Sequence, residues 1–461
     1  METVKLAELQ ALMGDAVQTD SDIVAGYARD QSTWTVPGRA LALVRPRHTA
    51  EVQMLAGWAT KHAVPLVPRG AGTGVAGGAS AIEGCVLVSF ERMNAILEVN
   101  AAAMYAVVQP GVLNVELKRA AAEHGLWYSP DPSSFEISTL GGNVATNAGG
   151  LCCMKYGVTG DYVLGLEAVL ADGSCFRSGG RCRKDVAGYD LTRLLVGSEG
   201  TLALITEMTL RLRRKPRSTA TLVAQFGSLE ASGHAVAAIV RGADASLLEV
   251  MDRAAIRAVE QFAQLGLEED AAAMLIAQSD SGNPADLEAM QAACDGAGAR
   301  LVYVSDEPAE GELLLKARRL AYPALERMGN VVIDDISVPL PQLAEMFARI
   351  ERAAARSDVM VATVAHAGDG NIHPLIVFDQ ADPQARARAF GVFEALMADA
   401  LELGGTITGE HGVGSLKAEF LARQLDATSL GLHARVKQAF DPLGVLNPGK
   451  VLAARRGWQA R

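Results

Sequence analysis

Pro65-Leu-Val-Pro-Arg-Gly-Ala-Gly-Thr-Gly-Val-Ala-Gly-Gly78 is the stretch whose reading decides the fold. It contains Gly72-Thr-Gly-Val-Ala-Gly77, which satisfies the G-x-G-x-x-G spacing of dinucleotide-binding loops. In a Rossmann unit that loop opens a helix whose amino end faces the pyrophosphate. Here Gly78 is followed by Ala-Ser-Ala-Ile-Glu-Gly84 and then by the apolar run Cys85 to Phe90, which reads as a strand. No room remains for the helix, so a Rossmann domain is excluded. Successive unhindered backbone N–H groups still form an anion-binding nest without a helix, and Arg69 adds a positive charge at its rim. A pyrophosphate fits that description, with a glycine-rich surface turn as the competing reading.

Strands dominate outward from this loop, at Leu41 to Val44, Cys85 to Phe90, Met104 to Gln109, Val163 to Leu170 and Thr201 to Leu212. One helix is clear from Glu51 to Lys61, with Thr49 as its cap and Val52, Leu55, Ala56 and Ala59 on one face. Arg211 to Ser218, with five cations and Pro216, reads as a boundary. Beyond it strand-like and helical patterns alternate: Thr219 to Phe226, Ser228 to Arg241, Leu247 to Met251, Ala254 to Leu265, Ala273 to Gln278 and Pro284 to Ala293. That rhythm predicts a second domain of α+β character. A last long helix, about Pro383 to Leu403, ends at Gly404-Gly405.

With 461 residues, 49% hydrophobic and 21% charged, the chain is globular and too long for one core. Its 42 Lys plus Arg against 53 Asp plus Glu give a formal charge of −11, which opposes nucleic acid and anionic lipid. No apolar run reaches membrane-spanning length, and the amino terminus lacks a signal peptide's apolar core. Six cysteines without a C-x-x-C pair or a disulfide-like spacing point to a reducing cytoplasm.

Two further features carry chemistry. Ser138-Thr-Leu-Gly-Gly-Asn-Val-Ala-Thr-Asn-Ala-Gly-Gly150 offers small residues with hydroxyl and amide groups, suited to a flat ring that approaches the backbone, and Leu195-Val-Gly-Ser-Glu-Gly-Thr-Leu202 extends that wall. His366-Ala-Gly-Asp-Gly-Asn-Ile-His373 and Gly409-Glu-His-Gly412 concentrate three of only eight histidines in glycine-framed, acid-containing segments. Zinc and similar ions take imidazole nitrogens plus a carboxylate and keep a position open when catalytic, so His366, His373 and Glu410 form a candidate ligand set with His411 beside it as a base. The alternative is that Asp369-Gly370 is a hairpin turn flanked by ordinary histidines.

Taken in order, Pro68-Arg-Gly-Ala-Gly-Thr-Gly74, Gly141-Gly-Asn-Val-Ala-Thr-Asn-Ala-Gly-Gly150, Lys184-Asp-Val-Ala-Gly-Tyr-Asp-Leu-Thr-Arg193, Val196-Gly-Ser-Glu-Gly-Thr201, the two histidine motifs and Asn447-Pro-Gly-Lys450 resemble the FAD-linked 2-hydroxy-acid dehydrogenases of the vanillyl-alcohol oxidase superfamily. Within it the chain is similar to D-lactate dehydrogenases, the glycolate oxidase flavoprotein subunit and D-2-hydroxyglutarate dehydrogenases. The resemblance implies an α+β fold: a two-part PCMH-type FAD-binding domain over residues 1–215, its core about 36–215, an α+β cap domain with an antiparallel sheet over 216–408, and a segment 409–461 that completes the active site. It implies that Arg69, Gly70, Ala71, Gly72, Thr73 and Gly74 hold the pyrophosphate. Thr139, Gly142, Asn143, Thr146, Asn147 and Gly149 would line the flavin, with Glu199, Gly200 and Asn447 also at the cofactor. Some relatives attach FAD through a histidine in the first loop; Arg69 to Gly78 contains neither histidine nor cysteine, so the FAD is expected to be non-covalent.

Oxidising a 2-hydroxy acid takes a hydride from C2 as the hydroxyl loses its proton, and a divalent cation, zinc by its donors, would make that hydroxyl acidic. His411 is then the base and flavin N5 the hydride acceptor. The resemblance assigns the substrate carboxylate to Arg318, against a solvated helix face as the alternative. Hydroxyglutarate enzymes have a threonine about where Tyr322 stands and a lysine about where Ile333 stands. Ile333 cannot serve a second carboxylate, which favours a D-lactate-like monocarboxylate over D-2-hydroxyglutarate. With no nicotinamide fingerprint, the expected electron acceptor is a quinone, a cytochrome or an electron-transfer flavoprotein. A flavoprotein subunit of a larger glycolate oxidase complex, a homodimer and attachment at the inner-membrane surface are all compatible with the sequence.

Overall fold

A computed structural model describes residues 2–216, 219–267 and 270–453, and divides into two compact units. The first comprises 1–149, 158–215 and 410–461; the second comprises 150–157 and 216–409. The boundary expected at Arg211 to Ser218 includes two residues, 217 and 218, outside the described ones.

The first unit carries two main sheets, which gives the two-part architecture a physical form. Leu66–Arg69, Val86–Ser89 and Ala42–Val44 run parallel, with the short strand Val17–Gln18 antiparallel at the edge. Ala42, Val44, Leu66, Val86 and Val88 are buried with the face of the helix Thr49–His62 that presents Val52, Leu55, Ala56 and Ala59. Thr49 is not the cap of that helix: His48 precedes it in extended conformation, and the Thr49 hydroxyl donates instead to Glu167 at 2.7 Å. A carboxylate on the neighbouring strand Val163–Val169 competes for the hydroxyl and wins. The second sheet is antiparallel, in the order Ile96–Asn100, Tyr105–Val108, Leu204–Arg211, Val163–Val169, Cys175–Gly179. Its core includes Leu140 and Val144 from the short helix Leu140–Thr146.

The second unit is built on one antiparallel sheet: Leu301–Ser305, Ala220–Phe226, Ala273–Ser279, Leu247–Asp252, Met360–His366, Asn371–Phe378 and Asn330–Ile333, with Ile336–Ser337 also pairing Asn371–Phe378. Helices Leu229–Gly242, Arg253–Ala263, Pro284–Gly296, Leu343–Ser357 and Pro383–Glu402 accompany it, so the alternating rhythm of the sequence is realised. Ser228, Asp252, Asn283 and Asp382 each cap the helix that follows by accepting a backbone N–H. Residues 150–157, placed by the sequence with the first domain, belong to this unit. Leu151 enters its core, and Lys155 pairs with Asp280 at 2.6 Å and Asp244 at 2.9 Å.

Candidate functional site

In the first unit the glycine loop leaves the carboxyl end of the strand Leu66–Arg69. Its glycines are required by proximity. A Cβ on Gly70 would strike the Thr139 hydroxyl, and one on Gly72, at φ +74°, would strike the Arg69 guanidinium. Arg69 lies over the Tyr27 ring at 5.8 Å and donates to the Arg29 carbonyl at 2.7 Å, and its burial pulls the guanidinium pKa down. Thr139 caps the helix Leu140–Thr146 by accepting from Gly142 N, so the amino end of that helix stands beside Gly70. A short helix start and a side-chain-free loop make a place for an anion without a Rossmann helix. Ala71, Thr73 and Gly74 continue the loop, and a Cβ on Gly74 would meet nothing nearer than Asp30 at 3.9 Å.

Several residues expected at the flavin hold the backbone instead of offering a free side chain. Asn143 is buried and joins Ser138 and Asn114 in one amide and hydroxyl network. Thr146 donates to Gly142 O. Asn147 ends its helix at φ 52°, its Oδ1 accepting from Gly160 N at 2.8 Å. Gly149 sits where a Cβ would collide with the Glu410 carboxylate. Glu199, at φ 51° and buried, accepts from Val413 N at 2.7 Å and Gly414 N at 2.9 Å, and burial lifts its carboxyl pKa to about 7. Gly200 lies against Pro68. Asn447 donates to Gly78 O at 3.0 Å and Glu199 O at 2.8 Å, while Lys450 donates to Gly77 O at 2.6 Å. The glycine loop is thus clamped by the chain's last motif.

In the second unit the histidines sit where the period-2 alternation of paired strands puts them. His366 ends Met360–His366, and Val364, two residues earlier, is the cross-strand partner of His373. Residues two apart share a face, so the imidazoles meet with ring centres 5.0 Å apart. Their turn is Ala367–Asp369 followed by Gly370 at φ +79°, where a Cβ would strike Val338 O. On its other side His366 faces Glu249 in register, and Glu249 Oε1 lies 2.6 Å from His366 Nδ1. Glu249 is fully buried, and its second oxygen stands 2.8 Å from Arg318 Nε, an ion contact outside hydrogen-bond geometry. Arg318 is only 5% exposed, so the solvated-face alternative fails.

His373 Nδ1 stands 3.6 Å from Oδ1 of Asp335, and the pair is buried. Asp335 also accepts from Asn371 Nδ2 at 2.9 Å, Thr408 Oγ1 at 2.7 Å and Gly409 N at 2.9 Å. Thr406 and Ser337 bond backbone to backbone just before, so the segment 406–409 is stitched to the histidine sheet. In the other unit, His411 Nε2 lies 3.7 Å from Glu410 Oε1, the two side chains 26% and 12% exposed. Sequence reasoning missed Glu249 and Asp335. A buried acid inside the apolar run Leu247 to Met251, and two successive acids after Ile333, were the available signals.

His366 and His373 therefore each have a carboxylate at or near Nδ1, the outer-shell arrangement that fixes a ring and presents Nε2 as a ligand. The donors fit a divalent cation of the zinc type.

Comparisons with known proteins identify the family. Residues 40–179 match the model of an FAD binding domain, and residues 215–451 match that of the C-terminal domain of FAD linked oxidases. Glycolate oxidase subunit GlcD of Bacillus subtilis is 42% identical over 89% of this chain and 89% of its own. D-lactate dehydrogenase of Archaeoglobus fulgidus is 36% identical over 92% and 95%. Among solved structures, p-cresol methylhydroxylase superposes with a TM-score of 0.82 at 17% identity over 98% of this chain and 97% of its own. The 4-ethylphenol oxidase of Gulosibacter chungangensis gives 0.79 at 20% over 98% of both. The fold is that of p-cresol methylhydroxylase, with mixed helices and sheets as expected.

Proposed function

We propose, from the premise that the chain belongs to the FAD-linked oxidases and is an FAD-dependent oxidoreductase, that it oxidises a small D-2-hydroxy monocarboxylate such as D-lactate to the 2-oxo acid. FAD, when bound, supplies the hydride acceptor at N5. The glycine loop from Arg69 to Gly74 and the amino end of Leu140–Thr146 would hold its pyrophosphate, without a covalent link.

The observation that carries this reading is the buried assembly of Glu249 with His366 and Arg318, beside Asp335 with His373. The fit to a metal rests on those Nδ1 partners. A divalent ion on His366, His373 and Glu410 would make a bound hydroxyl acidic. His411 takes the hydroxyl proton on its imidazole. Arg318, held by Glu249, binds the substrate carboxylate with its remaining guanidinium nitrogens.

Ile333 pairs with Leu375 and, like Tyr322, packs against the apolar core of this unit. A second carboxylate there would meet no cation from either side chain, which favours monocarboxylates over D-2-hydroxyglutarate. Glycolate is the second reading, because the 42% identical relative is a glycolate oxidase subunit; on that reading the chain works within a complex. No described helix is long and apolar enough to cross a membrane, and electrons would leave to a quinone, a cytochrome or an electron-transfer flavoprotein.

The test is a panel of D- and L-2-hydroxy acids scored anaerobically by bleaching of the bound flavin. D-lactate or glycolate should bleach it and D-2-hydroxyglutarate should not. Bleaching by L-isomers alone, or by none of the panel, refutes the reading. Metal content by elemental analysis checks the cation.

A further inference from the structure

The antiparallel sheet of the second unit ends in a strand with one open edge. Among the described residues, Leu301–Ser305 pairs with Ala220–Phe226 on one side and with no strand on the other. Leu301, Tyr303 and Val304 are 47%, 50% and 37% exposed, and Leu313 on the following helix Pro308–Arg319 is 52% exposed. Natural edge strands are usually blunted by lysine, proline or a bulge. Leu-Val-Tyr-Val-Ser has none, and its pairing to the inner strand is regular.

We propose that this edge is an interface at which two copies of the chain pair antiparallel about a two-fold axis through Tyr303. The flanking charges argue for a second copy as the occupant. In an antiparallel ladder hydrogen-bonded and non-hydrogen-bonded pairs alternate, so a two-fold axis normal to the sheet must pass through a residue that faces itself. Centred on Tyr303, Val302 faces Val304, Leu301 faces Ser305, and Arg300 faces Asp306 of the other copy. Both ends then close with an opposite-charge pair. Centred on Val302 instead, Arg300 would face Val304; centred on Val304, Asp306 would face Val302 and Glu307 would face Leu301. Only the central register sets Arg300 opposite Asp306. Arg300 and Asp306 are exposed, and neither has an ion pair within the chain among the described residues. A partner of unrelated sequence would have no reason to match a charge pattern that is its own mirror.

The experiment uses the full chain loaded with FAD. Sedimentation over a concentration series up to about 100 μM should give a reversible monomer–dimer equilibrium, and Tyr303→Lys, which puts two like charges on the axis, should weaken it at least about tenfold. Arg300→Asp and Asp306→Arg should each weaken the homodimer. Mixed in equal amounts they should associate as tightly as the original chain, because each heterodimer restores both charge pairs; native mass spectrometry reads the heterodimer directly. Flavin content and substrate bleaching should stay unchanged in all three variants. A chain that stays monomeric throughout, a dimer indifferent to Tyr303→Lys, or a mixture no tighter than either variant alone overturns the proposal.

Discussion

The two halves of the molecule carry candidate sites made from opposite materials. On the cofactor side the recognition elements are backbone and the absence of side chains: a Cβ at Gly70 or Gly72 would collide with Thr139 or Arg69, and Asn447 and Lys450 anchor the loop at Gly78 O and Gly77 O. On the histidine side they are charged and ring side chains on adjacent strands, placed by alternation and locked by the buried acids Glu249 and Asp335. The first design tolerates no added atoms; the second tolerates no lost charge. Substitutions should separate the halves accordingly: changes around the loop alter FAD affinity and stability, and changes around the histidines alter chemistry with FAD still bound.

His411→Ala should give the largest effect. Removing a general base typically costs 10²- to 10⁴-fold in rate, so flavin reduction by D-lactate should fall by about that factor while the yellow colour and metal content stay. Undiminished reduction, measured by stopped-flow absorbance, removes His411 from its role. Glu249→Gln should come next. The amide keeps the volume but withdraws the negative charge that both His366 and Arg318 face, and outer-shell changes of this kind cost about 10- to 100-fold in metal affinity. Metal competition assays should detect that loss, and the KM for substrate should rise through Arg318. FAD affinity should not move; if it does, the halves are not independent.

The division between the halves also explains what was legible in the sequence. The glycine loops, the histidine turn and the Glu410-His411 pair are local, so their order along the chain carried the family. The strand after the glycine loop, Val86–Ser89, fell within a residue of the expected Cys85 to Phe90 because its apolar run is local too. Glu249 and Asp335 were not legible, since what makes them special is register: Glu249 is 117 residues from His366 and meets it only when two strands pair. Thr49 failed as a cap for the same reason, its partner Glu167 being 118 residues away. The roles of Asn143 and Asn447 as loop anchors are likewise tertiary facts.

Asn447→Ala probes the cofactor side. Its amide spans Gly78 O and Glu199 O, and leaving buried acceptors unsatisfied costs about 1 to 3 kcal/mol. Urea unfolding should register that loss and FAD should bind more weakly, yet hydroxy-acid bleaching of the remaining holoprotein should proceed at the original rate. A slowed rate at full FAD occupancy would mean that the clamp reaches into the chemistry.

The smallest effect is the pH dependence built into the same clamp. Glu199 has a folded pKa of about 7 against an ordinary value of 4.5, because burial disfavours its anion more than Val413 N and Gly414 N stabilise it. The native state therefore holds a proton that the unfolded chain releases near pH 4.5. That contribution is complete below the unfolded pKa and is lost as pH rises through about 7, with a slope no steeper than about 1.4 kcal/mol per pH unit. Glu199→Gln, which carries no titrating group, should flatten stability between about pH 5 and about pH 8 relative to the original chain, measured by urea unfolding at each pH. Because the buried acids of the other unit, Glu249 and Asp335, lie against histidines, the same substitution should leave metal affinity unchanged across that range. A parallel change in metal affinity would show that the loop and the histidine sheet titrate as one site.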